Sequence, residues 1–217
     1  MWCVPELDDE YVERMEDILD LLEKPVNCRE PVVALDERPV PLRSDVRPTR
    51  AATPNKIARR DSEYVRTGVA NVFAIVAPHD GLHLTHATRN RKGPAFAQAL
   101  KRIADVHPKA STIHLIVDNL SSHRLKSVSD ALGETEGRAL WSRFTVHYTP
   151  KHGSWLNPAE IEISLWAREC QGRDRISTLA ELRRRTTRWN VRANRDRRCI
   201  RWRFRSADAR AKFGYTR

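Results

Sequence analysis

Three acidic residues occupy positions where packing alone gives a carboxylate no reason to be. Asp36 follows the run Pro31-Val-Val-Ala-Leu35, Asp118 follows Ile113-His-Leu-Ile-Val117, and Glu160 closes Trp155-Leu-Asn-Pro-Ala. Both runs are short, apolar and rich in β-branched residues, which predicts buried strands, and a carboxylate at the end of such a strand has left the core for a cleft. Glu160 falls just inside a predicted helix. Asp and Glu are rarely buried without a partner, and carboxylates that converge repel one another unless cations lie between them. Divalent metal is the natural cation, and the chemistry to expect is that of a metal-dependent nuclease.

Each acid also has a plainer reading. Asp36, beside Glu37 and before Pro39, could be a turn residue. Asp118, at the head of Asp-Asn-Leu-Ser-Ser-His, could cap the helix that follows. Glu160 would be the third helical residue behind Asn157 as N-cap and Pro158 at the first position, a capping-box-like start. Glu162 competes for the same role, but residues two apart on a helix point to nearly opposite sides, so only one of the pair can face a cleft.

The elements that would position these residues follow from periodicity. Residues 8 to 24 carry Tyr11, Met15, Ile18 and Leu22 at helical spacing and stop at Pro25, predicting an amphipathic helix. After the first strand, residues 38 to 66 read as a long excursion with at most short strands. Val69 to Ala77 and Leu82 to Thr88 flank Pro-His-Asp-Gly and predict a hairpin. Helices are expected over 94 to 106, 125 to 132, 158 to 171 and 179 to 194, with a further short one from Ser206, and strands over 113 to 117 and 144 to 148. That order predicts an α/β domain with a mixed sheet.

The 217 residues suffice for one core plus a helical appendage, and 39 Lys and Arg against 28 Asp and Glu give a formal charge of +11, which favours a polyanionic partner. The charge is uneven: Glu6 to Glu30 holds ten acidic and three basic residues, Arg183 to Arg205 eleven Arg and one Asp. Arg183, Arg184, Arg185, Arg188, Arg192 and Arg195 are candidate DNA-phosphate contacts, with Trp189 and Trp202 better read as core anchors. The four cysteines are scattered with no zinc-knuckle or redox spacing, as free thiols would be. His83 and His86 are expected to alternate across a strand face rather than bind metal. No apolar run reaches membrane-spanning length and no signal peptide is evident, so a cytoplasmic, nucleoid-associated protein without a membrane partner is expected.

The blocks VVALDE, IHLIVDNLSSH and HYTPKHGSWLNPAEIE together resemble the active-site blocks of DDE-type transposases, the DDE superfamily endonucleases, and specifically the mariner-like bacterial insertion-sequence group. The resemblance runs from Trp2-Cys-Val-Pro through the acidic helix to Ser206-Ala-Asp-Ala-Arg. It implies an α/β, RNase H-like fold with a mixed sheet flanked by helices, an N-terminal acidic helix and a C-terminal basic helix. It carries Asp36, Asp118 and Glu160 over as catalytic metal ligands, with Glu160 chosen over Glu162 by its place in the block. Asn119, His123, His152 and Asn157 lie in the matching blocks as site-adjacent residues. The implied cofactor is Mg²⁺, two ions, with Mn²⁺ as substitute, because hard carboxylate oxygens suit both and two ions can flank a scissile phosphate.

The implied organisation is a linker and amphipathic helix over 1–30, a catalytic domain over 31–175 and a basic helical segment over 176–217. Complete members of the group carry helix-turn-helix modules ahead of the catalytic domain. Here the linker-like Trp2-Cys-Val-Pro begins almost at once, so an N-terminally truncated transposase is expected. Its partners would be DNA, a second copy of itself or an intact transposase. The alternatives are a non-catalytic DNA-binding or assembly fragment competing with an intact transposase and, more loosely, a ribonuclease of the same fold.

Overall fold

A computed structural model describes residues 7–59 and 61–216; Trp2-Cys-Val-Pro, with Cys3, lies outside the described residues. In chain order the elements are α1 (Asp9–Glu23), β1 (Val32–Asp45), β2 (Tyr64–Ala77), β3 (Leu82–His83), β4 (His86–Thr88), α2 (Gly93–Val106), β5 (Ile113–Val117), α3 (Leu125–Leu132), α4 (Glu134–Trp141), β6 (Phe144–Tyr148), α5 (Ala159–Trp166), α6 (Leu179–Arg195) and α7 (Ser206–Phe213). The sheet runs β3-β2-β1-β5-β6, and β4 also pairs with β2. β1 and β2 are antiparallel, while β1, β5 and β6 are mutually parallel.

Alternation along β1 sorts its side chains between the two faces of the sheet. Val33 and Leu35 join Phe73, Ile75, Leu115 and Val117 under Phe96, Leu100 and Ile103 of α2. Val32 and Ala34 join Val76 and Ile116 on the other face, covered by Met15, Ile18, Leu19 and Leu22 of α1, Ala159 of α5 and Ala209 of α7. A third cluster packs the far part of the β1–β2 ribbon, through Val40, Leu42, Ala70 and Val72, against Trp166 of α5 and Leu182, Trp189 and Ala193 of α6. The apolar stripe expected on α1 is thus buried. Its first turn is capped by Asp8, which accepts from the Tyr11 N–H at 2.7 Å. The Pro-His-Asp-Gly turn forms as expected, and Gly81 is required there: its φ is +64°, and a Cβ would lie 2.7 Å from the Arg197 carbonyl carbon.

Several expectations need correction. β1 does not stop at Leu35; it continues for ten residues through Pro39 and Pro41, paired throughout with β2, and the ribbon resumes at Tyr64. Proline can be held there because β5 pairs with β1 only over Val32–Ala34, leaving one edge of β1 without a ladder to donate to. Asp36 is therefore a mid-strand residue opposite Ala74, neither a strand end nor a turn. The second arm of the hairpin is two short strands, so His83 and His86 lie on different elements and do not alternate along one strand. Helix α4 was not expected. The helix expected over 158 to 171 is α-helical only to Trp166 and continues as a π turn over Ala167–Gln171.

Candidate active site

Asp36 shares its face of β1 with Val32 and Ala34, the face on which α5 packs. Its Oδ1 accepts the Glu37 N–H at 2.7 Å. Burial, followed by the negative charges of Glu160, Glu37 and Asp118, pushes its carboxyl up to about 7. Glu160 from α5 and Asp118 from the end of β5 therefore both lie near enough to Asp36 to repel its charge.

Asp118 directly follows β5. It does not cap α3, which begins at Leu125 behind Arg124. Instead its Oδ1 accepts from the Leu120 N–H at 3.2 Å and from His123 Nδ1 at 2.7 Å. Burial pushes this carboxyl up, but the hydrogen bond and charge of His123, the Leu120 amide and Arg91 outweigh it and hold the group below the usual carboxylate range.

Glu160 is exposed at the second residue of α5, and Asn157 sets where that helix starts. Buried Asn157 donates from Nδ2 to the Leu35 carbonyl at 2.9 Å and accepts the Ala159 N–H on Oδ1 at 3.1 Å. It ties the first turn of α5 to β1 one residue before Asp36. Glu162 points the other way: it is fully buried, within 2.9 Å of His83 Nδ1 and 2.8 Å of the Thr85 hydroxyl that donates to it. Rotation along α5 thus separates the two acids as expected.

The remaining site-adjacent residues divide. His123 is buried inside the site, its Nε2 2.7 Å from Glu37 Oε1 and its ring centroid 4.5 Å from that of Phe96. Burial opposes a charge on this ring, but hydrogen bonds to Asp118 and Glu37 and the charges of both raise it to about 9. Asn119 and His152 are exposed instead on the rim of an open cleft of about 780 Å³, which runs from Asp118 past Thr149–His152 to Asp8, Glu10, Tyr11 and Arg14. His152 takes φ +62° in the turn before Gly153. Asp36 and Glu160 lie outside the residues lining that cleft.

Glu37 is the residue that reading the sequence missed. Its signal was the Asp-Glu pair itself: in a strand, adjacent side chains take opposite faces, so one of the two had to turn toward α2.

The six arginines also divide. Arg184, Arg188, Arg192 and Arg195 are exposed along α6. Arg185 is committed to Asp174 and Glu181 at 2.9 and 2.8 Å, and exposed Arg183 donates to the Ala87 carbonyl. Trp189 is a core anchor, 1% exposed, with its indole N–H donated to Glu169.

Among the described residues, no three His, Cys, Asp or Glu side chains are drawn around a single point as a closed metal site. The donor set nonetheless suits a hard divalent cation: all three groups are carboxylates, they come from three elements, and the most buried of them is raised toward neutral pH by its burial, with its neighbours' charge adding to the effect.

A mixed five-strand path flanked by helices, with acids on the first strand, after β5 and on α5, is an RNase H-like fold. The family model for DDE superfamily endonucleases matches residues 31–183, and the chain belongs to that family. Among solved structures it is similar to the Mos1 mariner paired end complex with Mn, at TM-score 0.59 and 14% identity over 100% of this chain and 66% of that one. The same complex with Mg gives TM-score 0.57 and 14% identity over 99% and 66%. At that identity the likeness is one of fold, and the chain spans 66% of the Mos1 chain's length. None of the curated proteins compared by sequence matches. No helix of the described residues is long and apolar enough to cross a membrane.

Proposed function

We propose that this protein is a transposase catalytic domain of the mariner-like group, performing metal-dependent DNA strand cleavage and strand transfer, with Asp36, Asp118 and Glu160 holding two Mg²⁺ or Mn²⁺ ions. The observation that carries the reading is the placement of three carboxylates on β1, just after β5 and at the start of α5, with Glu160 and Asp118 near enough to add their repulsion to the burial that raises Asp36. Bound cations would supply Lewis-acid activation of a water or a DNA 3′-hydroxyl and stabilisation of the departing oxygen.

The chain's own residues do the rest. Asp36 is held by a sheet that cannot yield without breaking the β1–β2 ladder, Asn157 sets the start of α5 against β1, and His123 engages one oxygen of Asp118. The exposed arginines of α6 would add affinity for phosphates without reading bases.

The test is a nicking and joining assay on labelled duplex DNA with Mg²⁺ or Mn²⁺. Wild type should cut, and Asp118→Asn should abolish cutting while DNA retention stays largely intact. No metal-dependent cleavage at high protein concentration would sink the catalytic reading, and retention that survives would favour the DNA-binding fragment.

A further inference from the structure

The acid beside the first candidate ligand has no role in that reading, yet it is buried. Glu37 lies on the α2 face of β1, and its side chain is 2% exposed. A carboxylate withdrawn from water needs a strong partner, and its partner is His123, itself 1% exposed. The other nitrogen of that ring meets Asp118. An unbroken line of contacts, each 2.7 Å, therefore runs from Glu37 through the imidazole to the second candidate ligand.

His123 also holds the backbone around that ligand. Residues Asp118 to Arg124 form irregular chain between β5 and α3. The His123 N–H bonds the Leu120 carbonyl at 2.9 Å, and the Tyr148 hydroxyl donates to the His123 carbonyl at 2.8 Å. Both polar contacts of the Asp118 carboxylate fall on Oδ1, so Oδ2 has no protein partner among the described residues.

We propose that Glu37 is a positioning residue: through His123 it fixes the Asp118 carboxylate so that Oδ1 is engaged by protein and Oδ2 alone is offered to a cation. The inference rests on the reading of Asp118 as a metal ligand. β1 then controls two ligands at once, presenting Asp36 directly from one face and orienting Asp118 from the other. Partners that orient metal ligands in this way typically change metal affinity by about 10- to 100-fold when removed.

The test measures Mn²⁺ affinity of the full 217-residue chain by calorimetric titration, alongside thermal unfolding. Wild type should bind Mn²⁺ and Asp118→Asn should lose it. Glu37→Gln and His123→Ala should each weaken binding about 10-fold or more. His123→Asn, whose amide N–H can stand where Nδ1 stands, should recover part of what His123→Ala loses. Leu100→Ala, a buried substitution under the same face, should lower the unfolding temperature and leave Mn²⁺ affinity unchanged. Wild-type affinity in Glu37→Gln, with Asp118→Asn unable to bind, overturns the positioning role and leaves the metal site standing. An equal loss of affinity in Leu100→Ala also overturns it, because general loosening would then be the cause. Equal binding by wild type and Asp118→Asn removes the metal-ligand reading itself.

Discussion

Two residues along an α-helix amount to about 200° of rotation, so Glu160 and Glu162 cannot serve one surface. Glu160 meets solvent, whereas Glu162 meets His83 and Thr85 in the interior. Removing one partner of a buried pair typically costs about 3–5 kcal/mol. Glu162→Ala should lose stability of that order in urea unfolding, while Glu160→Ala should stay within about 0.5 kcal/mol of wild type, as exposed substitutions do. A second residue-scale expectation concerns His86, stacked on Phe73 with ring centroids 5.5 Å apart. Burial, followed by Arg102 and, more weakly, Arg183, lowers this imidazole to about 4, against the Leu84 carbonyl. The unfolded chain then binds the proton first as pH falls. The contribution of neutral His86 is complete above about 6.5 and is lost toward 4, with about 2 kcal/mol gone by pH 5. The stability gap between wild type and His86→Leu should shrink by that amount from pH 7 to 5, and a constant gap would contradict the assignment. The contexts of Asp118 and Glu160 were legible from their blocks. The partners that Glu37 and Glu162 find in the interior were not, because each is a histidine brought in from a distant segment.

At the scale of elements, α6 shows how a run of like residues is divided by helical geometry. Arg184, Arg188 and Arg192 recur every four residues and lie on one exposed stripe, while Arg185 turns to Asp174 and Glu181. Replacing the three stripe arginines with Gln should flatten the salt dependence of DNA affinity by up to about 0.9 in log–log slope for each phosphate that is no longer neutralised. Arg185→Gln should leave that slope unchanged; filter binding at several salt concentrations separates the two. The sequence reading counted all six arginines alike because composition carries no direction. It placed most elements correctly where period and turn chemistry agreed. It failed on β1, where Pro39 and Pro41 read as breakers but lie beyond the stretch that β5 covers. It missed α4 because Gly137 reads as loop. The fold uses the missing Cβ there, since one would fall 2.6 Å from the Ser129 backbone.

Across the whole molecule, the acidic first helix and the last helix close on one another. Arg210 and Tyr215 both bond Glu16 of α1, and Ser206 bonds Asp20 and Glu23. Ile200, Trp202, Phe204, Phe213 and Tyr215 pack on the cluster beneath α1. Deleting residues 200–217 should remove on the order of 5 kcal/mol of apolar burial, comparable with the entire stability of many domains. Circular dichroism on the shortened chain should show loss of cooperative melting, and a cooperative native-like transition would show the tail to be dispensable. The charge asymmetry was visible in the sequence, but not that the residues from Ser206 onward would bond the acids of α1.

The pleat of β1 also makes Asp36-Glu37 an ordered word. Exchanging the two letters, Asp36→Glu with Glu37→Asp, preserves charge, volume and composition, and a comparison of relatives by residue content would score the change as silent. In the fold it puts the longer acid beneath α5 and leaves the shorter one reaching for His123, one methylene too far away. In a library of variants selected for function, the transposed pair should be as rare as outright loss of either acid.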